Sequence, residues 1–449
     1  MPTKRLILIL ETDEEQIAGF RRAVARLGGG FELKVWHDAH SMIAECELFF
    51  AKVAMISLNC DLNPQSGESA DTGTALGAAR FLGDFLPVSP ILIHSSNMDQ
   101  VCSIHNELRF AGWMVDRIGT LGKDWIETTW LHRVQELLGE YPNTWKANLP
   151  ADHDTRVARM LLSLDGLGIG DALGEMLSYQ SANAPAKLTS NSLPPGPWFH
   201  TDDTEMAISI AAVLKSHGEL NQDALAKRFA RRFERDPDRG YGSMTRIQLR
   251  EINAGTRWRD TAANAFNGQG SMGNGGAMRV APLGAYFASD LDRCASEARS
   301  SAVVTHTHPE GVAGAIAVAV GAALAWQIRG VSLSQRPGRF FDGVLSLTPE
   351  SRVRQGILLA SQTPTDTPVL DVAKKLGNGS LVTAPDTVPF CLWIAAHRTQ
   401  DFVNALAQVI RAGGDCDTNA AIVGGIVALS AGHDAIPPDW LSAREAFRV

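Results

Sequence analysis

The hydrophobic pattern of this chain changes its period near residue 150, and that change limits the possible folds more than any other feature. Residues 1–140 alternate short apolar runs, such as RLILIL (5–10) and VAMISL (53–58), with segments of helical spacing. Strand-length runs separated by helices predict a parallel sheet covered by helices on both faces. From residue 155 onward nearly every segment has helical spacing, which predicts a large all-α domain.

The segment between the two patterns, YPNTWKANLPADHD, contains Pro and Asn residues and is predicted to be a linker. The chain is therefore expected to be multidomain, with an α/β domain at 1–140, a linker at 141–154 and an all-α domain at 155–449. Residues 311–328 are apolar enough to suggest a membrane span, but Gly and Ala dominate them. We predict a closely packed interior helix there and no membrane association.

Composition excludes some classes of protein. The net charge is -8, and no cluster of Lys and Arg suited to phosphate contacts occurs, so we expect no nucleic-acid partner. The six cysteines are widely separated, without a C-x-x-C pair, which is typical of buried thiols in a reducing compartment. With no signal-peptide pattern at the N-terminus, these features predict a soluble, cytoplasmic protein of unspecified oligomeric state.

Two distant segments each place carboxylates and a threonine directly before an apolar helical run. They are HTDDTEMA and GGDCDTNAA, and their oxygen-bearing residues are Thr201, Asp202, Asp203, Asp415, Asp417 and Thr418. Burying four carboxylates together is costly unless cations neutralise them, and two divalent cations would match their charge. Because every donor is a hard oxygen, Mg²⁺, Mn²⁺ or Ca²⁺ is favoured over Zn²⁺. From these residues alone, a binuclear metal site and simple capping of two helices both remain open.

Three further segments carry chemistry. FNGQGSMGNGGAMRV (266–280) is a glycine-rich turn feeding a helix expected to begin near Ala277, and such turns present backbone N–H groups to anions, commonly phosphates. His306 and His308 precede a buried helix and are interpreted as substrate-contacting or capping residues. In GLGIGDALGEML (166–177), Asp171 and Glu175 are four residues apart and should share one helix face, where an acid could act as a general base.

In this order, the motifs GDALGE, TDDTEMA, GSMGNGGAMRV, THTHPEGVAGA and GGDCDTNAA resemble those of the ADP-ribosylglycohydrolase family. The resemblance implies an all-α fold in which two Mg²⁺ ions (Mn²⁺ possible) are held by Thr201, Asp202, Asp203, Asp415, Asp417 and Thr418. It also implies contacts to ADP-ribose, the distal ribose included, from Gly270, Ser271, Met272, Gly273, Asn274 and His306.

The implied activity is removal of ADP-ribose from a modified protein side chain, with arginine the favoured acceptor, or from a related ADP-ribosylated substrate. The partners would be an ADP-ribosylated protein and ADP-ribose, and the candidate catalytic residues are Glu175, Asp202 and Asp417. One position departs from the family pattern. Many relatives carry an acid seven residues after the Asp of the GDALG motif, where this chain has Ser178, so Glu175 is expected to take that role.

Residues 1–140 resemble a response-regulator receiver domain, with a DL…TG…IHSSN pattern after the third apolar run. Asn59 stands where receivers carry a phosphorylated aspartate, and the usual lysine after the fifth strand is missing. A docking or regulatory module is therefore predicted. Two alternatives to the hydrolase stay open: a catalytically weak ADP-ribose-binding sensor, and a protein that blocks an ADP-ribosylating toxin.

Overall fold

A five-stranded parallel sheet organises the N-terminal part of the chain. Its strands are β1 (Arg5–Leu10), β2 (Phe31–Trp36), β3 (Val53–Asn59), β4 (Ile91–His94) and β5 (Val115–Ile118). The order across the sheet is β2-β1-β3-β4-β5, and every pairing is parallel. This is the doubly wound 2-1-3-4-5 order. The predicted parallel sheet is confirmed, whereas the receiver identity stays a prediction.

The computed structural model describes residues 5–28, 30–50, 52–62, 72–83, 85, 87–140, 149–189 and 192–446. Contacts divide the chain into two units, Met1–Leu149 and Pro150–Val449. Most of the predicted linker, residues 141–148, lies outside the described residues, and its last two residues already belong to a helix.

Both faces of the sheet are buried, as expected when helices cover a parallel sheet on each side. Leu8 and Leu10 of β1 pack into one hydrophobic cluster, and the alternating residues Ile7 and Ile9 pack into another. The helices of this unit are α1 (Glu14–Arg26), α2 (Ala39–Glu45), α3 (Ala75–Leu82), α4 (Met98–Phe110) and α5 (Leu131–Glu140).

The carboxyl ends of three neighbouring strands meet in a buried polar network. The Asn59 side-chain amide donates to both oxygens of Glu11, at 3.0 Å each, and its own oxygen accepts from the backbone N–H of Asp61 at 2.9 Å. His94 Nε2 lies 3.2 Å from Glu11 Oε2. The position that would carry a phosphorylated carboxylate in a receiver therefore holds an amide whose hydrogen bonds are already used.

The second unit is helical, and its described residues contain no strand beyond two isolated bridges. The predicted all-α architecture is thus confirmed. Its helices are α6 (His153–Leu177), α7 (Ala184–Thr189), α8 (Asp202–His217), α9 (Gln222–Arg235), α10 (Ser243–Asn253), α11 (Trp258–Asn264), α12 (Gly275–Met278), α13 (Ala281–Tyr286), α14 (Leu291–Ala302), α15 (Pro309–Gln327), α16 (Arg336–Leu347), α17 (Arg352–Ser361), α18 (Val369–Leu376), α19 (Ala384–His397), α20 (Phe402–Arg411), α21 (Cys416–Ala431) and α22 (Pro438–Ala443).

Helices α6 and α21 pack backbone against backbone. A Cβ atom placed on Gly166 or Gly170 would lie 2.4 Å and 2.0 Å from the carbonyl oxygens of Gly424 and Ala420 respectively. A Cβ atom on Gly174 would lie 2.3 Å from the Cys416 carbonyl oxygen. Such an approach requires glycine, and it brings the carboxyl-terminal half of α6 beside the first turn of α21.

The apolar run predicted as an interior helix forms α15. The segment Pro309–Gly330 is long and apolar enough to cross a membrane by length and composition, yet 89% of its most apolar window is buried inside the protein. Its Gly and Ala residues let α13, α14 and α19 pack closely around it. Helix α15 is therefore the central core helix of the unit.

Candidate active site

A carboxylate from α6 caps the first turn of α8. The Asp171 side chain accepts hydrogen bonds from the backbone N–H groups of Thr201 and Thr204, at 3.0–3.1 Å. The hydroxyls of the same two threonines lie 2.8 Å and 2.5 Å from its oxygens. Because Asp171 satisfies the N-terminus of α8, the side chains of Asp202 and Asp203 are not needed as caps.

The first turn of α21 carries the second group of oxygens. Asp415 is the residue at its N-terminus, and Asp415 Oδ2 accepts from the Asn274 side-chain amide at 2.6 Å. Asp417 Oδ1 accepts from the backbone N–H of Thr418 at 2.8 Å. The structure thus ties the glycine-rich loop to the second acid cluster through Asn274.

The two acid clusters line one cleft of about 490 Å³. Asp202 and Asp203 face it from α8, and Asp415, Asp417 and Thr418 face it from the start of α21. Thr201 is buried beside them, and its hydroxyl lies 3.1 Å from Asp203 Oδ2. The residues predicted from two motifs about 200 positions apart are therefore brought together.

These carboxylates raise one another's proton affinity. Burial, with the charges of Asp171 and Asp417, raises the pKa values of Asp202 and Asp203 well above their usual range. Burial and the Asp417 charge raise the pKa of Asp415 to about 7. Asp203 Oδ1 is buried without a hydrogen-bond partner. An orphaned oxygen among repelling carboxylates is the environment that a hard divalent cation would neutralise.

Among the described residues, no three His, Cys, Asp or Glu side chains already converge as the ligands of one ion. The six-residue metal set therefore stays a prediction, supported by the charge, burial and oxygen chemistry of the cluster rather than by preformed coordination geometry.

The raised pKa values predict an inverted pH dependence of stability for protein dialysed free of divalent cations. A carboxyl group whose pKa is higher in the folded state than its unfolded value of about 3.9 favours folding when protonated. The folded state then binds more protons than the unfolded state between about pH 4 and pH 7, so the melting temperature should rise as pH falls from 7.5 to 5.5. Calorimetry on wild type and on Asp415→Asn checks this, because the variant should show a smaller rise. An equal rise in both proteins would contradict the assignment.

The glycine-rich loop also lines the cleft. Residues Gly270, Ser271, Met272, Gly273, Asn274 and His306 all line it. Gly270 has φ +76°, and a Cβ atom there would lie 2.3 Å from Thr307 Oγ1, so the loop turns tightly against the segment that carries His306. The helix predicted near Ala277 begins at Gly275 as the short α12 and is followed by α13.

The two histidines of the THTH segment differ in their contacts. His308 Nδ1 accepts from the backbone N–H of Glu310 at 3.1 Å and so caps α15. His306 is buried beneath the loop, where a Cβ atom on Gly275 would lie 2.9 Å from its Nε2. Capping is thus observed for His308, while contact with substrate stays a prediction for His306.

Glu175 is separated from this cleft. Asp171 is fully buried in α6, but Glu175, one turn later, is exposed and does not line the cleft. The neighbouring residues Gly174 and Leu177 of the same turn are buried, so Glu175 lies on the solvent-facing side of α6. Burial and the nearby Asp417 charge raise the Glu175 pKa. A catalytic role for Glu175 therefore rests on this electrostatic contact alone.

The cleft also includes residues to which the sequence motifs assigned no role. Gly240 approaches Asp202, since a Cβ atom there would lie 3.4 Å from Asp202 Oδ1. Phe266 (φ 51°) and Val382 (φ 53°) hold left-handed backbone conformations at the rim, where both side chains are exposed. Non-glycine residues in this region are strained and concentrate at functional sites. The glycines of RGYG (239–242) are a sequence signal that could have indicated the part of the cleft formed by Gly240.

A helical domain that gathers buried carboxylates and hydroxyls from two helix N-termini beside a glycine-rich loop defines an all-α enzyme with an acidic, oxygen-lined active site. The ADP-ribosylglycohydrolase family model matches residues 151–448, and the chain belongs to this family. It is accordingly a hydrolase, an ADP-ribosylglycohydrolase. A binuclear divalent-metal site is typical of the family. The N-terminal unit lies outside the matched residues.

Two relatives identified by sequence agree with the family assignment. ADP-ribosylhydrolase ARH3 of Homo sapiens is 31% identical over 330 residues, which cover 63% of this chain and 88% of that protein. ADP-ribosylarginine hydrolase Tri1 of Serratia proteamaculans is 28% identical over 289 residues, covering 62% of this chain and 73% of the relative. A solved ADP-ribosylglycohydrolase-related protein complex is 26% identical, covers 65% of this chain and 93% of its own, and has a TM-score of 0.46.

Proposed function

We propose that this protein is a Mg²⁺-dependent hydrolase that releases ADP-ribose from a modified protein side chain, with arginine the favoured acceptor. The observation that carries the proposal is the convergence of four aspartates from α8 and α21 in one cleft with the glycine-rich loop. A relative named as an ADP-ribosylarginine hydrolase supports the choice of acceptor.

Two divalent cations would be held by Thr201, Asp202, Asp203, Asp415, Asp417 and Thr418. When bound, they would supply Lewis-acid polarisation of the ribose hydroxyls and neutralise the clustered charge. Hard oxygen donors favour Mg²⁺, and Mn²⁺ is the nearest substitute. The buried, unpartnered Asp203 Oδ1 supports this fit.

The remaining chemistry belongs to the chain's own residues. Backbone N–H groups of the Gly270–Asn274 loop would bind the phosphates of ADP-ribose, and His306 would contact the ribose. Hydrolysis breaks the bond from the anomeric carbon to the acceptor and forms one to a water oxygen. Asp202 or Asp417 would accept one water proton and return it to the acceptor nitrogen or oxygen as that atom leaves, while the other water proton stays on the new hydroxyl. Neighbouring carboxylates would stabilise the positive charge that develops at the anomeric carbon.

A second candidate function, a catalytically weak ADP-ribose sensor, is favoured by one observation. The family acid is replaced by Ser178, and the expected substitute Glu175 is exposed outside the cleft. A site that holds the ligand but lacks an acid beyond the aspartate clusters could bind ADP-ribose without turning over its conjugates.

The test is release of free ADP-ribose from one arginine-modified and one serine-modified protein, with Mg²⁺, with Mn²⁺ and with EDTA. We expect release from the arginine-linked substrate that EDTA abolishes and Mg²⁺ restores. Faster release from the serine-linked substrate would reassign the acceptor. Release that persists in EDTA would overturn the metal dependence, and binding of ADP-ribose without release from either substrate would favour the sensor.

A further inference from the structure

Three buried polar side chains lie in a row beneath the glycine-rich loop. Arg279 Nη2 donates to Thr305 Oγ1 at 2.9 Å, and Thr305 Oγ1 lies 2.7 Å from His306 Nδ1. Arg279 and Thr305 have no exposed surface, and His306 is 5% exposed. The row leads from the helical core to the cleft that the substrate would enter.

The hydrogen-bond partners determine where the protons of Thr305 Oγ1 and of the His306 ring lie. An arginine guanidinium only donates, so Thr305 Oγ1 must accept the Arg279 hydrogen bond. The threonine hydroxyl can then donate its single proton to His306 Nδ1, the acceptor that lies within hydrogen-bonding distance among the described residues. If Nδ1 itself carried a proton, the hydroxyl would accept twice and its own proton would be left unpaired on a fully buried side chain, which is unfavourable. His306 Nδ1 is therefore an acceptor, and the ring proton lies on Nε2.

The surroundings of the ring support a neutral donor. Burial, followed by the charge of Arg279, lowers the pKa of His306 to about 3, so the ring does not take up a second proton near neutral pH. The ring is packed against the loop, since a Cβ atom on Gly273 or Gly275 would lie 3.3 Å or 2.9 Å from Nε2. Nε2 has no hydrogen-bond partner recorded among the described residues, and His306 lines the cleft.

We propose that Arg279 and Thr305 are positioning residues that fix His306 as the Nε2–H tautomer, so that His306 donates a hydrogen bond to an acceptor oxygen of the bound ligand. A phosphate or hydroxyl oxygen satisfies that donor, whereas a ligand group that only donates does not. The hydrogen bond from His306 to ADP-ribose rests on the proposed function, whereas the assignment of the tautomer does not.

Arg279 is suited to this task because it is held rigidly. Its guanidinium also donates to the Ser301 carbonyl oxygen at 3.1 Å and stacks over the Phe229 ring at 4.5 Å. A permanently charged donor fixed in the core cannot exchange roles with the threonine hydroxyl. A purely structural reading would make Arg279 and Thr305 core-packing residues with no influence on the ring proton, and the two readings differ in measurable ways.

The experiment is NMR of protein labelled with ¹⁵N-histidine, in which the ring nitrogens report the tautomer directly. The chain has 12 histidines, and the signal absent from His306→Gln identifies the one required. Wild type at pH 7 should show a protonated Nε2 and an unprotonated Nδ1. Thr305→Ser keeps the hydroxyl and should keep this pattern, whereas the nearly isosteric Thr305→Val removes it and should populate both tautomers.

Calorimetric binding of ADP-ribose supplies the second measurement. Thr305→Val should bind roughly tenfold more weakly and Thr305→Ser within about twofold of wild type. A wild-type ring protonated on Nδ1, or on both nitrogens, would overturn the proposal, as would equal affinity loss in the two variants. The wild-type spectrum decides the matter even if Thr305→Val fails to fold. If the tautomer is as proposed but wild type neither binds nor releases ADP-ribose, the proposed function fails and the positioning role stands.

Discussion

Replacing Asp417 or Asp202 by Asn should lower the rate of ADP-ribose release by roughly 10³-fold or more, since each change removes a carboxylate predicted both to hold a cation and to accept a proton. Both residues line the cleft, and burial with neighbouring negative charge keeps Asp202 in an environment that only a cation or a proton relieves. The Asn side chain keeps the shape but not the charge. Release kinetics with saturating Mg²⁺ measure the effect, and the stabilisation of each variant by added Mg²⁺ should shrink in parallel.

A matched control is available in Asp366→Asn, which removes one negative charge from an exposed position far along the sequence from either cluster. Its release rate should equal that of wild type. Glu175→Gln belongs in the same series because Glu175 is exposed outside the cleft. Its release rate should fall by no more than about tenfold if Glu175 acts only through its electrostatic interaction with Asp417. Near-normal turnover by Asp417→Asn would remove the basis of the proposed site, and a 10³-fold loss in Glu175→Gln would make Glu175 the catalytic acid or base.

Gly170→Ala should strongly destabilise the domain. The added Cβ would lie 2.0 Å from the Ala420 carbonyl oxygen, and a backbone atom in the middle of a packed helix cannot swing aside as a side chain does. Overpacking of this kind costs at least about 3 kcal/mol, a large part of the 5–15 kcal/mol that stabilises a typical domain. Thermal unfolding of the metal-free protein measures the loss, and we expect a melting temperature lower by about 5 °C or more, or an insoluble product.

Gly338→Ala is the matched control, because a Cβ atom on this exposed glycine of α16 meets nothing within 4 Å. The change should leave stability unaltered or raise it by about 0.5–1 kcal/mol, as alanine is the better helix former. Equal destabilisation by the two substitutions would mean that loss of helix glycine, rather than contact with α21, governs the outcome.

The sequence predicted those features that depend on local pattern. Alternating runs gave the parallel sheet, and uninterrupted helical spacing gave the all-α unit, because side-chain periodicity directly follows backbone geometry. From the residues alone, the TDDTEMA and GGDCDTNAA aspartates were open to either a shared metal site or simple capping of two helices, and the family resemblance favoured the shared site. Their joint cleft with the Gly270–Asn274 loop is what the structure adds.

Other features depend on contacts between distant segments and were not accessible from one sequence. The capping of α8 by Asp171 could not be predicted, because Asp171 lies in another helix 30 residues earlier in the chain. This capping leaves Asp202 and Asp203 free of a capping role, as the predicted metal site requires. Glu175 was placed in the site by its spacing from Asp171, but it lies on the solvent-facing side of α6 and is exposed. The left-handed conformations of Phe266 and Val382 had no signal, because neither residue type favours them.

The glycine contact between α6 and α21 also has a consequence for how the domain is made. Ser163 Oγ of α6 donates to the Gly425 carbonyl oxygen, 262 positions later in the chain. During synthesis the small-residue face of α6 emerges early and has no partner until α21 leaves the ribosome, so contacts of such long range form last. The acidic cleft is divided between these same two ends of the domain. An incomplete chain therefore exposes apolar surface and carries only part of the carboxylate cluster. Only the finished domain is both stable and able to form the active site.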